Sequence, residues 1–250
     1  MDFKDLLPES PKGKAVLVTG GTTGIGRAIV MLLAQQGANV VFFGHDKQHL
    51  HDALTDVNAI ATGKVFGFVA DCSTGEGVAE VFKNVDEQLG RLDILVNNAA
   101  IGFGNVTGVS YADLQHVLNT NLLSYLACCA GAIERMEQAG SGHIVNIGSL
   151  SAQVREATGS VYVATKAAIR AYSESLRKEV NKNGIKVSLI EPGAVDTDMQ
   201  QQPTDEKLKQ VEDMEMLTAT DIAVAVLYCL SQPKRSDVIE LKIRPHLQII

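Results

Sequence analysis

The chain has 250 residues, 46% of them apolar and 20% charged, with a formal net charge of −7. That length suits one large domain with a sizeable core, the acidic balance offers no basic field for nucleic acid or anionic membranes, and no apolar run approaches the ~20 residues that span a bilayer. Four cysteines, Cys72, Cys128, Cys129 and Cys229, show no CxxC or Cys/His metal spacing, so neither a metal site nor a disulfide is expected and a reducing cytoplasm fits.

Residues 1–12 mix acidic, apolar and proline positions without a basic stretch before an apolar core. They read as an N-terminal extension and not as a secretory signal. The run at 15–19, Ala-Val-Leu-Val-Thr, is the first strand pattern. It leads into Gly20-Gly21-Thr22-Thr23-Gly24-Ile25-Gly26. A helical pattern over 25–36 follows, with Ile25, Ala28, Ile29, Leu32 and Leu33 on one face and Gly37 as its stop. A glycine cluster between a strand and a helix is the context of a dinucleotide-binding turn. In such a turn Gly20 lets the chain reverse tightly, Gly24 admits a pyrophosphate close to the backbone, and Gly26 allows close helix–strand packing. The helix N-terminus then offers free N–H groups to phosphate. A purely structural glycine turn is the alternative; a P-loop is excluded because no GxxxxGK[ST] occurs.

Strand patterns recur at 40–43, 65–70, 94–97, 144–147, 187–190 and 238–243, with helical patterns between them at 47–60, 76–89, 111–138, 160–183 and 220–231. Several strand runs are continuously apolar, which fits strands buried on both faces of a parallel sheet. The alternation predicts an α/β fold: a doubly wound, mostly parallel sheet with helices on both faces, in a single domain over 1–250. The polar segment 198–216 follows a late strand. It reads either as a substrate lid or as a surface helix with loose ends.

The helical pattern at 160–183 opens with Tyr162-Val-Ala-Thr-Lys166. Residues four apart share a helix face, roughly 5–6 Å apart at Cβ. A free phenol has a pKa of about 10. An ammonium about 4 Å away, at an effective dielectric near 20, supplies about 4 kcal/mol, enough to bring the phenol close to neutrality. The pair is therefore expected to act as a general acid–base and its activator.

Gly-x-x-x-Gly-x-Gly at 20–26, Asn97-Asn98-Ala99-Ala100, Asn121, Ser149, Tyr162-x-x-x-Lys166 and Pro192-Gly193 stand in one order along the chain. Together they make it resemble the classical short-chain dehydrogenase/reductase family over about residues 14–243. The resemblance implies a Rossmann-type seven-stranded sheet and a nicotinamide cofactor without metal. It also implies a homotetramer, or a homodimer, built on the helices at 111–138 and 160–183. It assigns catalysis to Asn121, Ser149, Tyr162 and Lys166. In these roles Tyr162 exchanges a proton with the substrate oxygen. Lys166 lowers the phenol and grips the nicotinamide ribose, Ser149 bonds the developing oxyanion, and Asn121 holds a water that relays protons to Lys166. Cofactor contacts transferred in the same way are Gly20, Thr22, Thr23, Gly24, Ile25 and Gly26 of the turn, His45, and Asp71 near the adenine. Asn97 and Ala99 are expected along the groove. Ile190, Pro192, Gly193 and Thr197 are expected around the nicotinamide, beside Tyr162 and Lys166. Asp93 is expected in a structural role near a strand start. Two positions depart from the family pattern: Gly148, where serine is frequent, and Ala100, where glycine is common.

The second strand pattern ends in Phe42-Phe43-Gly44-His45-Asp46. NAD-preferring relatives place an acid at the Gly44 position to bond the ribose 2′-OH. NADP-preferring relatives place arginine at the His45 position or a basic residue at the Thr23 position, and this chain has neither. His45, Thr22 and Thr23 are donors for a 2′-phosphate, which Asp46 opposes if turned inward. NADP(H) is favoured over NAD(H). The expected activity is reversible hydride transfer between the nicotinamide and a small ketone or secondary alcohol. In the loop at 153–159, Arg155 either binds an acidic substrate group or is solvated or at a subunit contact, and Glu156 is a second unusual charge. A catalytically inactive sensor or scaffold of the same fold is the alternative, and a methyltransferase on a similar sheet is another.

Overall fold

The computed structural model describes residues 9–200 and 202–248, so residues 1–8 of the expected N-terminal extension lie outside the described residues. Seven strands form one parallel sheet: β1 (Ala15–Val18), β2 (Asn39–Gly44), β3 (Val65–Val69), β4 (Ile94–Asn97), β5 (Gly142–Ile147), β6 (Ile185–Pro192) and β7 (Glu240–Ile243). Their spatial order is β3-β2-β1-β4-β5-β6-β7. The helices are α1 (Gly24–Gln35), α2 (Lys47–Ile60), α3 (Gly75–Leu89), α4 (Tyr111–Leu118), α5 (Ser124–Ala139), α6 (Ser151–Val154), α7 (Ser160–Val180), α8 (Thr204–Glu212) and α9 (Ala219–Leu230).

The continuous apolar strands are explained by two cores, one on each face. Val16, Val18, Val40, Phe42, Ile94 and Val96 point to one side, where Ile29 and Leu33 of α1, Val57 of α2 and Val226 of α9 meet them. Leu17, Val41, Phe43 and Leu95, the alternate residues, point to the other side against Val81 and Val85 of α3, Cys128 and Ala132 of α5 and Leu176 of α7. Fully burying each such side chain stabilises the fold by about 1.5–3 kcal/mol. β1 is paired with β2 on one side and β4 on the other, Val16 lying opposite both Val40 and Ile94. The winding reverses at this point, and in an open α/β sheet the crevice forms there, beyond the carboxyl ends of the strands.

Two departures from the sequence pattern, and the helix offered as one reading of 198–216, matter for the site. The single helix expected at 111–138 is interrupted by a π-helical turn at Asn119–Leu123, centred on Asn121. The helix expected at 160–183 ends at Val180 and continues as a 3₁₀ turn, Asn181–Asn183, stopped by Gly184 at φ +78. The polar segment 198–216 contains α8, with Asp205 and Glu206 in its first turn, where acidic side chains complement the helix dipole.

Candidate active site

The strand ends open into a cleft of about 1580 Å³, larger than the roughly 300–1,000 Å³ of a site for one small ligand. Its floor is the turn between β1 and α1. Gly20 has φ +63, and a Cβ on it would lie 2.9 Å from Ala99 Cα. A Cβ on Gly26 would lie 2.0 Å from the Gly20 carbonyl oxygen, so only glycine permits the contact between turn and helix. Asn98, at the end of β4, fixes this turn. Its Nδ2 donates to the Thr19 and Gly20 carbonyls at 3.1 Å. Thr19 Oγ1 accepts from the Asn98 and Ala99 amides at 2.9 Å. Gly20, Thr22, Thr23, Gly24, Ile25 and Ala99 line the cleft, while Gly26 packs beneath it.

Gly44 and His45 at the end of β2, and His49 in the first turn of α2, line the cleft. A Cβ on Gly44 would lie 2.2 Å from Thr22 Oγ1, so an acid at this position would have to displace Thr22. Asp46 is not turned inward. Its Oδ1 accepts from the His49 amide at 2.8 Å as the N-cap of α2, and that bond holds the carboxyl below its ordinary pKa. Asp71 also lines the cleft, and its carboxylate accepts from the Ser73 amide at 2.9 Å.

Ser149, just beyond β5, and Tyr162 and Lys166, on the first two turns of α7, meet at the other end of the cleft. Lys166 is 2% exposed. Its Nζ donates to the Ile147 carbonyl at 3.0 Å, and Tyr125 Oη, from α5, donates to the same oxygen at 3.1 Å. Burial brings Lys166 down from 10.5 to about 8. The ammonium lies 5.7 Å from the centre of the Tyr162 ring. The expected lowering of the phenol is not observed. Burial raises Tyr162, the Ser149 hydroxyl pulls it back and the Glu156 charge adds to the rise. Desolvation outweighs an ammonium already engaged by a carbonyl.

Several expected contacts fall elsewhere. Asn97 is fully buried and turned into the fold, its Nδ2 donating to Asn146 Oδ1 at 2.9 Å and Cys129 Sγ at 3.2 Å; Asn98 and Ala99 take the groove. Ile190 is part of the core and does not line the cleft. The Asn121 side chain clamps Ile101, accepting from its amide and donating to its carbonyl, both at 2.8 Å. That engagement anchors the segment after β4. Arg155 does not line the cleft, whereas Glu156 does. Asp93 is structural, accepting from the Ala15 amide at 2.7 Å and from Arg91 Nε at 3.1 Å. Gly148 has a local cause: a Cβ there would lie 3.0 Å from Leu189 Cδ1 and 3.2 Å from Cγ of the buried Glu191.

The turn after β6 brings Pro192, Gly193 and Thr197 to the cleft, and two residues without a motif hold it in place. Gln248 Oε1 accepts from the Ala194 amide at 3.2 Å and occupies the space over Gly193, where a Cβ would meet it at 2.2 Å. Lys207, buried on α8, donates to the Thr197 carbonyl at 3.1 Å and pairs with Asp196 at 2.9 Å. Gln248 acts from 54 residues away and Lys207 from another element, so no local pattern marks them.

The family model described as short chain dehydrogenase matches residues 14–208. An uncharacterized oxidoreductase of Staphylococcus epidermidis is 35% identical over 235 residues, covering 94% of this chain and 98% of that protein. Another, from Staphylococcus aureus, is also 35% identical, covering 93% and 97%. Among solved structures, a short chain dehydrogenase from Burkholderia cenocepacia in complex with NADP is 30% identical, with a TM-score of 0.84 over 95% of this chain and 98% of that one. L-Sorbose reductase from Gluconobacter frateurii, complexed with NADPH and L-sorbose, is 25% identical, with a TM-score of 0.85 over 96% and 97%.

Proposed function

The chain belongs to the short-chain dehydrogenase family, and from that premise we propose that it is a reductase of ketones, reversible as an alcohol dehydrogenase, with NADP(H) as its preferred cofactor. The observation that carries this reading is the meeting of Ser149, Tyr162 and Lys166 at one end of a cleft whose other end is the glycine turn. Gly20, Gly24 and the turn amides suit a pyrophosphate, and they line the same cleft as Tyr162. When bound, the nicotinamide supplies or accepts the hydride.

The remaining chemistry belongs to the chain's own side chains. An ordinary phenol is protonated at neutral pH, and burial shifts Tyr162 further the same way, so it presents the form that donates a proton to a carbonyl oxygen. Ser149 donates a hydrogen bond to the same oxygen as charge develops on it. The Lys166 ammonium stabilises the phenolate left on Tyr162. Asn121 serves by holding Ile101 against the site, its side chain being committed there.

Absence of an acid at Gly44, with Thr22 filling its place, supports NADP(H) over NAD(H), and His45, His49 and Thr23 are the donors available to a 2′-phosphate. The NADP found with the Burkholderia relative agrees with this choice. Homotetramer assembly belongs to the same reading, supported by Leu118 and Leu123, which are 43% and 54% exposed at the break between α4 and α5. A cytoplasmic location is supported by the four free cysteine thiols. The segment 198–216 acts as one wall of the substrate end, since Met199, Gln202 and Glu206 line the cleft.

A panel of ketones and secondary alcohols, followed by nicotinamide absorbance with each cofactor, tests the proposal. Turnover with a higher kcat/KM for NADPH than for NADH is expected. A higher value with NADH overturns the cofactor assignment. Tight cofactor binding without turnover of any compound favours the sensor or scaffold reading.

A further inference from the structure

Three carboxylates line the cleft at its substrate end. Glu156 comes from the loop before α7, Asp198 from the segment after β6 and Glu206 from the first turn of α8. All three are exposed, and none forms an ion pair among the described residues. Glu156 is close enough for its charge to act on the Tyr162 phenol.

Among the described residues that line the cleft, no exposed lysine or arginine balances them. Lys166 is the one lysine or arginine among the residues that line the cleft, and its ammonium is buried and bonded to the Ile147 carbonyl. Arg155 stands outside the lining, and Lys207 is engaged by Asp196 and the Thr197 carbonyl. The lining histidines lie at the opposite end, where His45 and His116 act on Asp71. A site for a carboxylate or phosphate substrate presents arginine or lysine donors. This one presents the reverse sign, so an anionic substrate meets repulsion from three carboxylates with no compensating bond from the lining.

We propose that this acidic mouth selects its substrate by charge, favouring carbonyl compounds that carry an ammonium group, accepting neutral ones and rejecting those that carry a carboxylate or phosphate. The inference rests on the reading of the chain as an NADPH-dependent ketone reductase. It names the substrate class of that same site.

The test uses three methyl ketones of equal length ending in a trimethylammonium, a hydroxymethyl or a carboxylate group, with NADPH and the full chain. At low salt the ammonium ketone is expected to exceed the carboxylate ketone by at least about tenfold in kcat/KM, and the gap to shrink at high salt. The triple variant Glu156→Gln, Asp198→Asn, Glu206→Gln is expected to bring the two within about threefold. All three changes are at exposed positions, so the variant keeps its fold. A carboxylate ketone turned over as well as the ammonium ketone, or a ratio unmoved in the triple variant, overturns the charge selection and leaves the reductase reading standing. No turnover of any of the three, with either cofactor and with NADPH bound, overturns both.

Discussion

Lys166 and His143 show what burial does to single ionisable residues in this fold. Lys166 falls from 10.5 to about 8 because its ammonium is desolvated. Its folded value is below its unfolded value, so the unfolded chain binds the extra proton and stability rises as pH climbs from about 8 to about 10.5. Below that window the buried charge costs on the order of 3 kcal/mol, offset in part by the bond to Ile147. Lys166→Met is therefore expected to melt at a higher temperature than the wild type at pH 7, with the advantage shrinking above pH 8, while turnover falls. Thermal melts at both pH values check this. His143 falls from 6.5 to about 4, through burial first and the Lys186 charge second. It stays neutral in the fold, with Nε2 2.9 Å from Ser188 Oγ. Stability is expected to drop by on the order of 3 kcal/mol as pH falls from 6.5 to 4, and His143→Gln to flatten that slope in denaturant titrations. At this scale the sequence announced Ser149, Tyr162 and Lys166 through spacing. It misplaced Asn97 and Ile190, because alternation along a strand decides which neighbour faces the cleft, and that register is set by the sheet.

The elements that matter are the turn after β6 and the pieces of chain that fasten it. Val195 bridges to Leu217, Gln248 holds the Ala194 amide, and Lys207 holds Asp196 and Thr197. Thr197 in turn sits over Gly24, with 3.2 Å between its Cγ2 and the place of a Gly24 Cβ. Loosening the turn is expected to weaken cofactor binding more than the chemical step. Gln248→Ala loses one hydrogen bond, worth about 1 kcal/mol, so KM for NADPH should rise about fivefold with a smaller change in kcat. Lys207→Met loses two bonds and should raise it further. Steady-state kinetics separates these terms. Strands and long helices were legible in the sequence because apolar periodicity is local. The π turn at Asn119–Leu123 was not, since Asn121 obtains its bonds from Ile101, twenty residues away.

For the whole molecule, seven apolar β-branched runs alternating with amphipathic stretches were enough to give the doubly wound sheet, and the structure makes it parallel throughout its pairings. Quaternary structure lies beyond that logic, because it depends on exposed faces such as that of Leu118 and Leu123. Light scattering is expected to give four times the chain mass of 26.7 kDa, and Leu123→Lys to lower it. Tyr162 is the proposed proton donor of a hydride-transfer site. The most direct measurement is kcat of Tyr162→Phe with NADPH and the best ketone of the panel, beside the Kd of NADPH by fluorescence. A fall of at least about 100-fold in kcat with Kd unchanged is predicted; turnover near that of the wild type would contradict the claim.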